Sequence, residues 1–387
     1  MTVQIDAQFL TETITKLVQI NSTNPSLSPT GAGETEIAHY VADVLKTIGL
    51  EVTIWEIEPG RWNVVGRLAG TGNGRTLMLN AHMDTVGVIG MENPFSGEVR
   101  DGKLYGRGSY DMKGSLAAQL AVAKALVDGD VQLKGDLLIT AVADEEHSSI
   151  GADDLVKHVQ ADAAIVTEPT DLHICRAHRG FIWYDVKTFG RAAHGSRYNE
   201  GIDANMRMGR FLGHLDQLEQ DLRRRTPHPL AGPPSLHASR IHGGTEITIY
   251  AANCHLQIER RTIPGETEAQ TTAELQAIID QLAAEDDTFK ATVESFFGRA
   301  PFEVDEDAAI VQAMQKVMND SQLGMTSPHT GQTFWTDAAV FAEAGMETVL
   351  LGPVGKGLHS AEEWVDVQSV IDLAQILADT AVIYCNM

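Results

Sequence analysis

KGSLAAQLAVAKALVDGDVQLKGDLLITAVADEE, residues 113–146, joins an Ala/Leu-rich segment to a short apolar run that stops abruptly at three carboxylates. The first part predicts a helix over 113–127 and the second a buried strand over 136–143. Asp144, Glu145 and Glu146 then emerge at the carboxyl edge of a sheet, where open α/β folds place their sites. Neighbouring side chains of an extended chain point to opposite sides, so Glu145 and Glu146 are expected to differ in role, one ligating and the other handling protons. An acidic turn facing solvent would read the same way in isolation.

Working outward, helical spacing of apolar residues appears at 6–19 and 34–48, with Gly49 as a stop for the second. Strand-like runs fall at 51–57, 62–68, 76–81 and 162–167, which makes an α/β layered domain. Asp101-Gly102 predicts a hairpin, an antiparallel element within an otherwise largely parallel sheet. Near residue 180 the style changes. A strand at 181–186, a helix near 203–224, a Pro-rich loop at 226–234, strands at 236–250 and 253–261, a helix at 266–284 and a strand at 289–297 give a β-α-β-β-α-β order. After Pro301 come helices near 305–319 and 335–344, a strand at 347–351 and a helix near 366–384. A chain of 387 residues is expected to form more than one domain. The expected division is a discontinuous catalytic domain, 1–178 and 299–387, with an inserted lid or dimerisation domain at 179–298.

Composition bounds the function. With 43% hydrophobic and 21% charged residues the chain is an ordinary globular protein, and its net charge of −24 argues against nucleic acid or an anionic membrane surface as partner. Cys175, Cys254 and Cys385 form no C-x-x-C pair, so neither a disulfide framework nor a thiolate zinc site is expected, and a reducing compartment fits. The N-terminus lacks the pattern of a signal peptide, and no run is expected to approach the roughly 20 apolar residues of a membrane span. The expected location is the cytoplasm.

The chemistry sits in polar clusters that follow apolar runs. His82 and Asp84, one residue apart after the strand 76–81, suit a metal-ligating imidazole and a carboxylate that orients it. Asp111, in Gly106-Arg-Gly-Ser-Tyr-Asp-Met-Lys-Gly114, could bridge two cations or simply cap the helix that follows. Glu168 precedes Pro169 at a strand end, and His359 follows the Gly352–Gly357 loop. Together these groups supply two imidazoles and three ligating carboxylates, with two further carboxylates for support and proton transfer. That donor set describes a dinuclear site for zinc, with cobalt or manganese as substitutes.

The ordered motifs AHMDTV, YGRGSYDMKG, ADEE, TEPT and GLHSAEEWV resemble those of the dinuclear zinc amidohydrolase and metallopeptidase family that includes acetylornithine deacetylase, succinyl-diaminopimelate desuccinylase, aminoacylase and the glutamate carboxypeptidases. The resemblance covers essentially the whole chain. It implies a zinc-exopeptidase-like α/β fold, a mixed and mostly parallel sheet flanked by helices, with an inserted α+β sandwich. By the same resemblance His82 and Glu168 hold one zinc, Glu146 and His359 the other, and Asp111 bridges them, followed by a cis peptide bond. Asp84 orients His82, and Glu145 is the general base that activates water between two zinc ions. His194, in Gly190-Arg-Ala-Ala-His-Gly-Ser196, matches the lid histidine, supplied in some relatives by the partner of a homodimer. Arg261 matches the arginine that grips a substrate carboxylate, while Arg260 beside it should face the other side of its strand. Thr248 and Ala251 stand where many relatives have asparagine and proline, and Thr248 is left as the hydrogen-bond donor to substrate. The implied activity is hydrolysis of small N-acyl amino acids, of the acetylornithine deacetylase and desuccinylase type. The alternative is a zinc carboxypeptidase or dipeptidase acting on short peptides. A catalytically silent metal-binding protein on the same fold would lack the base or a ligand, and none is missing. The acyl pocket is expected to involve 226–234 and residues near 329–335.

Overall fold

The computed structural model describes residues 3–320 and 329–387. It divides into two compact units: the first runs to Arg176 and resumes at Val304 and again at Thr336, and the second comprises Ala177–Glu303 with Gly331–Trp335.

The first unit is built on a mixed sheet in the order Glu51–Glu58, Arg61–Leu68, Leu137–Val142, Leu77–His82, Ala163–Val166, Glu347–Leu350, with Cys175 opposite Leu350 at its far side. Pairing is parallel among the four strands from Leu137–Val142 to Glu347–Leu350 and antiparallel on either flank. These central strands are buried along almost their whole length, which is why they read as continuous apolar runs rather than alternating ones. Leu77 stands opposite both Leu137 and Ala163, and Ala163 opposite Glu347, so the parallel strands end side by side. That register delivers the residues after each strand to one edge.

Helices cover the sheet. Thr35–Ile48 buries Ile37, Ala38, Val41, Ala42 and Leu45 at three- and four-residue spacing and stops at Gly49, whose φ of 109° few other residues tolerate. Gly114–Asp128 is buried on nearly all sides between Ala7–Gln19 and the helix Val367–Tyr384. Contrary to the sequence expectation, Val367–Tyr384 is long and apolar enough by composition to cross a membrane. Its Val370, Leu373, Leu377, Ala381 and Tyr384 are instead fully buried in the core of this unit.

The hairpin at Asp101-Gly102 forms, with both residues at positive φ. It does not join the main sheet. Its strands Glu98–Arg100 and Lys103–Tyr105 pair with Trp364–Asp366 and Gly355–Lys356 in a small separate sheet. A turn fixes which two strands are partners and leaves open which sheet they enter.

The second unit is an antiparallel sheet in the order Ser235–Gly243, Asn253–Thr262, Gly180–Phe189, Lys290–Arg299, with helices Ala204–Arg224 and Glu268–Glu285. Alternate residues Ile182, Tyr184, Val186, Leu256 and Ile258 point into a core with Met208, Phe211, Leu215, Leu275 and Leu282. Asp203 caps the first helix, and a Thr267/Gln270 capping box starts the second. The expected strand 236–250 ends at Gly243. Residues beyond it leave the sheet, and Ile249 bridges to His194 instead.

Candidate metal centre

The shared edge of the central strands collects His82, the turn after Val142, and Glu168. His82 ends its strand with its ring 1% exposed. Its Nδ1 lies 2.9 Å from the carbonyl oxygen of Asp84 and so donates to it, which leaves the Nε2 lone pair facing the cluster. Asp84 therefore orients the imidazole through its backbone, its carboxylate being 3.7 Å away. That carboxylate instead accepts the backbone N–H groups of Glu145 at 3.1 Å and Glu146 at 3.3 Å.

Residues 145–148 form a turn rather than an extended continuation of the strand. Asp144 takes a positive φ of 69°, and the N–H groups of His147, Ser148 and Ser149 converge on its carbonyl. The two glutamates diverge because of this turn, not because of strand pleating. Glu146 Oε2 reaches His359 Nε2 at 3.0 Å, while Glu145 Oε2 lies 4.0 Å from His82 Nε2.

Asp111 sits between the imidazoles. Its Oδ1 is 3.1 Å from His82 Nε2 and its Oδ2 is 3.4 Å from His359 Nε2. Glu168 Oε1 approaches His82 Nε2 at 3.6 Å. Asp111 does not cap the following helix: it lies in a single wide turn, Ser109–Lys113, and a cis peptide bond links it to Met112. Gly108 takes φ 77°, where a Cβ would strike Thr85 at 2.7 Å. His359 has φ 57° and is half exposed.

The electrostatics ask for positive charge at this point. Burial and then the Glu168 charge hold the Glu145 carboxyl well above its usual range. Burial likewise raises Glu168, and with the Asp111 charge it pushes Glu146 up to about 7. His82 is raised against its burial by Asp111, Glu168 and Glu145, and His359 is pushed up to about 10 by Asp111 first and then Glu146. Asp111 is lowered, against burial, by its contacts with His359 and His82. Imidazole nitrogens and carboxylate oxygens that converge at these distances are stabilised either by protons on the imidazoles or by a cation that takes the place of those protons. His82, Asp111 and Glu146, and separately His82, Glu145 and Glu168, each bring ligand atoms within 4.8 Å of one another. The set suits zinc or a neighbouring divalent ion.

The groups that hold this cluster in place carry no local signal in the sequence. Thr23 bridges to Thr85, which sets Asn24 beside Asp84. The Asn24 amide donates to Asp84 Oδ2 at 2.7 Å and Asp144 Oδ1 at 2.9 Å. Behind it Arg61 grips Glu34 with two hydrogen bonds, 2.7 and 2.8 Å, and Asp144 with one of 2.7 Å. On the other side Glu363 accepts from the N–H groups of Gly108, Tyr110 and Asp111 and from Arg107, fixing the loop that carries Asp111.

The remaining expected residues lie in the second unit. His194 is exposed, and its Nδ1 accepts from the Ser196 N–H at 3.2 Å, which places the ring proton on Nε2. The Gly195 N–H donates to the Thr248 carbonyl at 2.7 Å, so His194 and Thr248 share one loop pairing. Arg261 pairs with Glu259 at 2.9 Å and Arg260 is buried against Glu266 at 2.6 Å, on opposite faces of their strand.

Residues 78–382 match Peptidase family M20/M25/M40. The N-formyl-4-amino-5-aminomethyl-2-methylpyrimidine deformylase of Bacillus subtilis (strain 168) is 27% identical over 382 residues, covering 90% of this chain and 89% of the relative. Among solved structures, aminopeptidase PepT from Bacillus cereus superposes with a TM-score of 0.81 at 19% identity, covering 99% of this chain and 100% of its own. A dinuclear metal binding peptidase of the M20 family from Bacillus subtilis gives 0.77 at 16% identity over 98% and 99%. At these identities the structural likeness is one of fold.

Proposed function

The chain belongs to peptidase family M20/M25/M40 and is a hydrolase of that family, and from this premise we propose that it removes the acyl group from a small N-acylated amine or amino acid. The observation that carries the reading is Asp111, whose two oxygens each face a different imidazole while the raised Glu145 carboxyl stands beside the same cluster. A relative that deformylates an N-formyl aminomethylpyrimidine supports cleavage of a linear N-acyl bond. The runner-up, a carboxypeptidase or dipeptidase, is supported by the fold likeness to peptidases.

In this proposal His82 and Glu168 would hold one divalent ion and Glu146 and His359 another, with Asp111 available to both; zinc is the favoured metal, with cobalt or manganese as substitutes. When bound, the ions acidify water and draw charge from the amide carbonyl. Glu145 takes a proton from the attacking water, oxygen adds to the carbonyl carbon, and Glu145 returns the proton to nitrogen as the C–N bond breaks. The products are a free acid and an amine. Glu145 Oε2 stands 4.0 Å from His82 Nε2, close enough to the cluster to meet a water held there and to pass its proton to the leaving nitrogen. Asp84 keeps the Glu145 and Glu146 backbone in register. His194, with its proton on Nε2, is assigned as donor to the developing oxyanion, Arg261 to a substrate carboxylate and Thr248 to a substrate hydrogen bond. The second unit is assigned as lid and homodimerisation element, and the cytoplasm as the site of action.

Hydrolysis of N-formyl and N-acetyl amines, N-acetylornithine, N-succinyl-diaminopimelate, other N-acetyl amino acids and dipeptides by zinc-loaded protein tests the proposal. Chelator-sensitive release of amine from the N-acyl compounds is expected. Turnover of dipeptides alone would replace the deacylase by the peptidase, and silence across the panel would refute both.

A further inference from the structure

On the face of the second unit's sheet opposite its helices, five aromatic rings adjoin. Phe181 and Trp183 alternate outward on one strand, 5.3 Å apart. A bulge between Ser295 and Phe297 turns two successive phenylalanines to the same side, so Phe296 and Phe297 lie 5.9 and 5.2 Å from Trp183. Trp335 meets Phe181 edge-on at 6.3 Å, and the Arg299 guanidinium lies over both Trp335 and Phe297 at 5.3 and 5.6 Å. None of these rings is fully buried, and Phe296 is 51% exposed. Packing of the unit does not require them, since its core lies on the helix side of the sheet. A contiguous apolar group left on an outer face marks a binding surface.

Charge specifies what binds. Arg261 stands directly opposite Phe181 in the strand register, its guanidinium 5.4 Å from the ring centroid. Arg179, two residues before Phe181, donates through Nε to the Ala231 carbonyl, and among the described residues no carboxylate pairs with it. Its electrostatic neighbour is Arg261, another cation, and after burial that like charge lowers it further. Glu259 pairs with Arg261, accepts from the Trp183 indole N–H at 3.3 Å and lies 3.6 Å from His237, and it makes no ion pair with Arg179. Arg179, two residues before Phe181, and Arg261, opposite Phe181 in the register, bring two guanidinium groups to one end of the aromatic face, which is a place for an anion.

We propose that this face recognises a planar aromatic ring carrying a carboxylate, the ring stacking on Phe181, Trp183 and Trp335 and the carboxylate meeting Arg179 and Arg261. The proposal rests on the reading of the chain as an amide hydrolase and names its substrate class: N-acyl amino acids with an aryl or heteroaryl side chain.

Binding to chelator-treated protein separates the two claims, because it requires no turnover. Titration calorimetry would use N-acetylphenylalanine, its cyclohexyl analogue and its carboxamide. The aromatic acid should bind about fivefold or more tighter than the cyclohexyl compound, and tighter again than the carboxamide. Trp335→Leu and Phe181→Leu should each erase the aromatic preference, Arg179→Gln should erase the carboxylate preference, and Arg179→Lys should restore part of it. Equal affinity for all three probes, or preferences unchanged in variants whose melting temperatures match the parent, overturns the platform even if the protein hydrolyses amides. Selective binding without any hydrolysis upholds the platform and removes the hydrolase reading of this face.

Discussion

Replacing Arg61 with methionine removes the one cation that two buried carboxylates share. The Glu34 side chain is 0% exposed, Asp144 is 2% and Arg61 itself is 6%. With Arg61 gone, both acids keep their burial and lose their partner, a change worth about 3–5 kcal/mol. For a domain of this size each kcal/mol shifts the midpoint by about 2–4 °C, so the melting temperature should fall by roughly 6–20 °C. The pH dependence is the sharper signature. Glu34 is pushed up to about 7 by burial first and by the Asp84 charge second, against the pull of Arg61. A carboxyl whose folded pKa is raised contributes stability below its unfolded value and loses it as pH climbs through the folded one. In the parent that loss is complete a little above pH 7. In the variant the pull of Arg61 is gone, Glu34 ionises at higher pH, and the loss continues at about 1.4 kcal/mol per pH unit. The gap between parent and variant should therefore widen between pH 6 and 8.5, with Glu34→Gln in the Arg61→Met background recovering much of it. Thermal unfolding in chelator-containing buffer measures this, and the cluster titrates in both proteins and cancels in the difference. A gap below about 1 kcal/mol, or one that stays flat with pH and ignores Glu34→Gln, would refute the argument that Arg61 neutralises this pair.

Glu145→Gln should keep its metal content, measured by atomic absorption, and lose about 100-fold or more of its turnover; full activity would remove Glu145 as the base. Stripping metal should lower the melting temperature more at pH 8 than at pH 5.5, because Glu145, Glu146 and Glu168 all have raised folded values and forfeit stability as pH rises through them; an equal drop at both values would show that the cluster does not gather charge. His194→Ala should reduce kcat while leaving the melting temperature within about 1 °C, since the side chain is exposed and contacts only its own loop; a wild-type rate would exclude it from the reaction.

The strands that bear the cluster were legible because they are short, apolar and end in polar residues, and the parallel register then makes neighbours of strand ends far apart in sequence. The groups behind the cluster were not. Arg61 meets Glu34 and Asp144 across 27 and 83 residues, and Glu363 meets Arg107 across 256. A buried ion pair leaves no local periodicity, so each partner alone reads as a surface charge. The same limit explains the hairpin at Asp101-Gly102, whose turn was visible and whose sheet was not. The turn at 145–148 is closed locally, by the His147, Ser148 and Ser149 N–H groups on the Asp144 carbonyl and by Ser148 on its carboxylate, whereas its anchoring to Asn24 and Arg61 spans 120 and 83 residues and leaves no local signal.

Glu363 also sets an order of events. The loop bearing Asp111 takes its shape from a carboxylate synthesised 252 residues later, and His359, which faces both Asp111 and Glu146, comes from the same late segment. A nascent chain that has already made His82, Asp111, Glu146 and Glu168 holds a concentrated patch of acid with neither its clamp nor its second imidazole. The cluster takes its complete form only once the segment carrying His359 and Glu363 has been made and has folded back onto Gly108–Asp111, so its geometry is a property of the finished fold and of no earlier fragment.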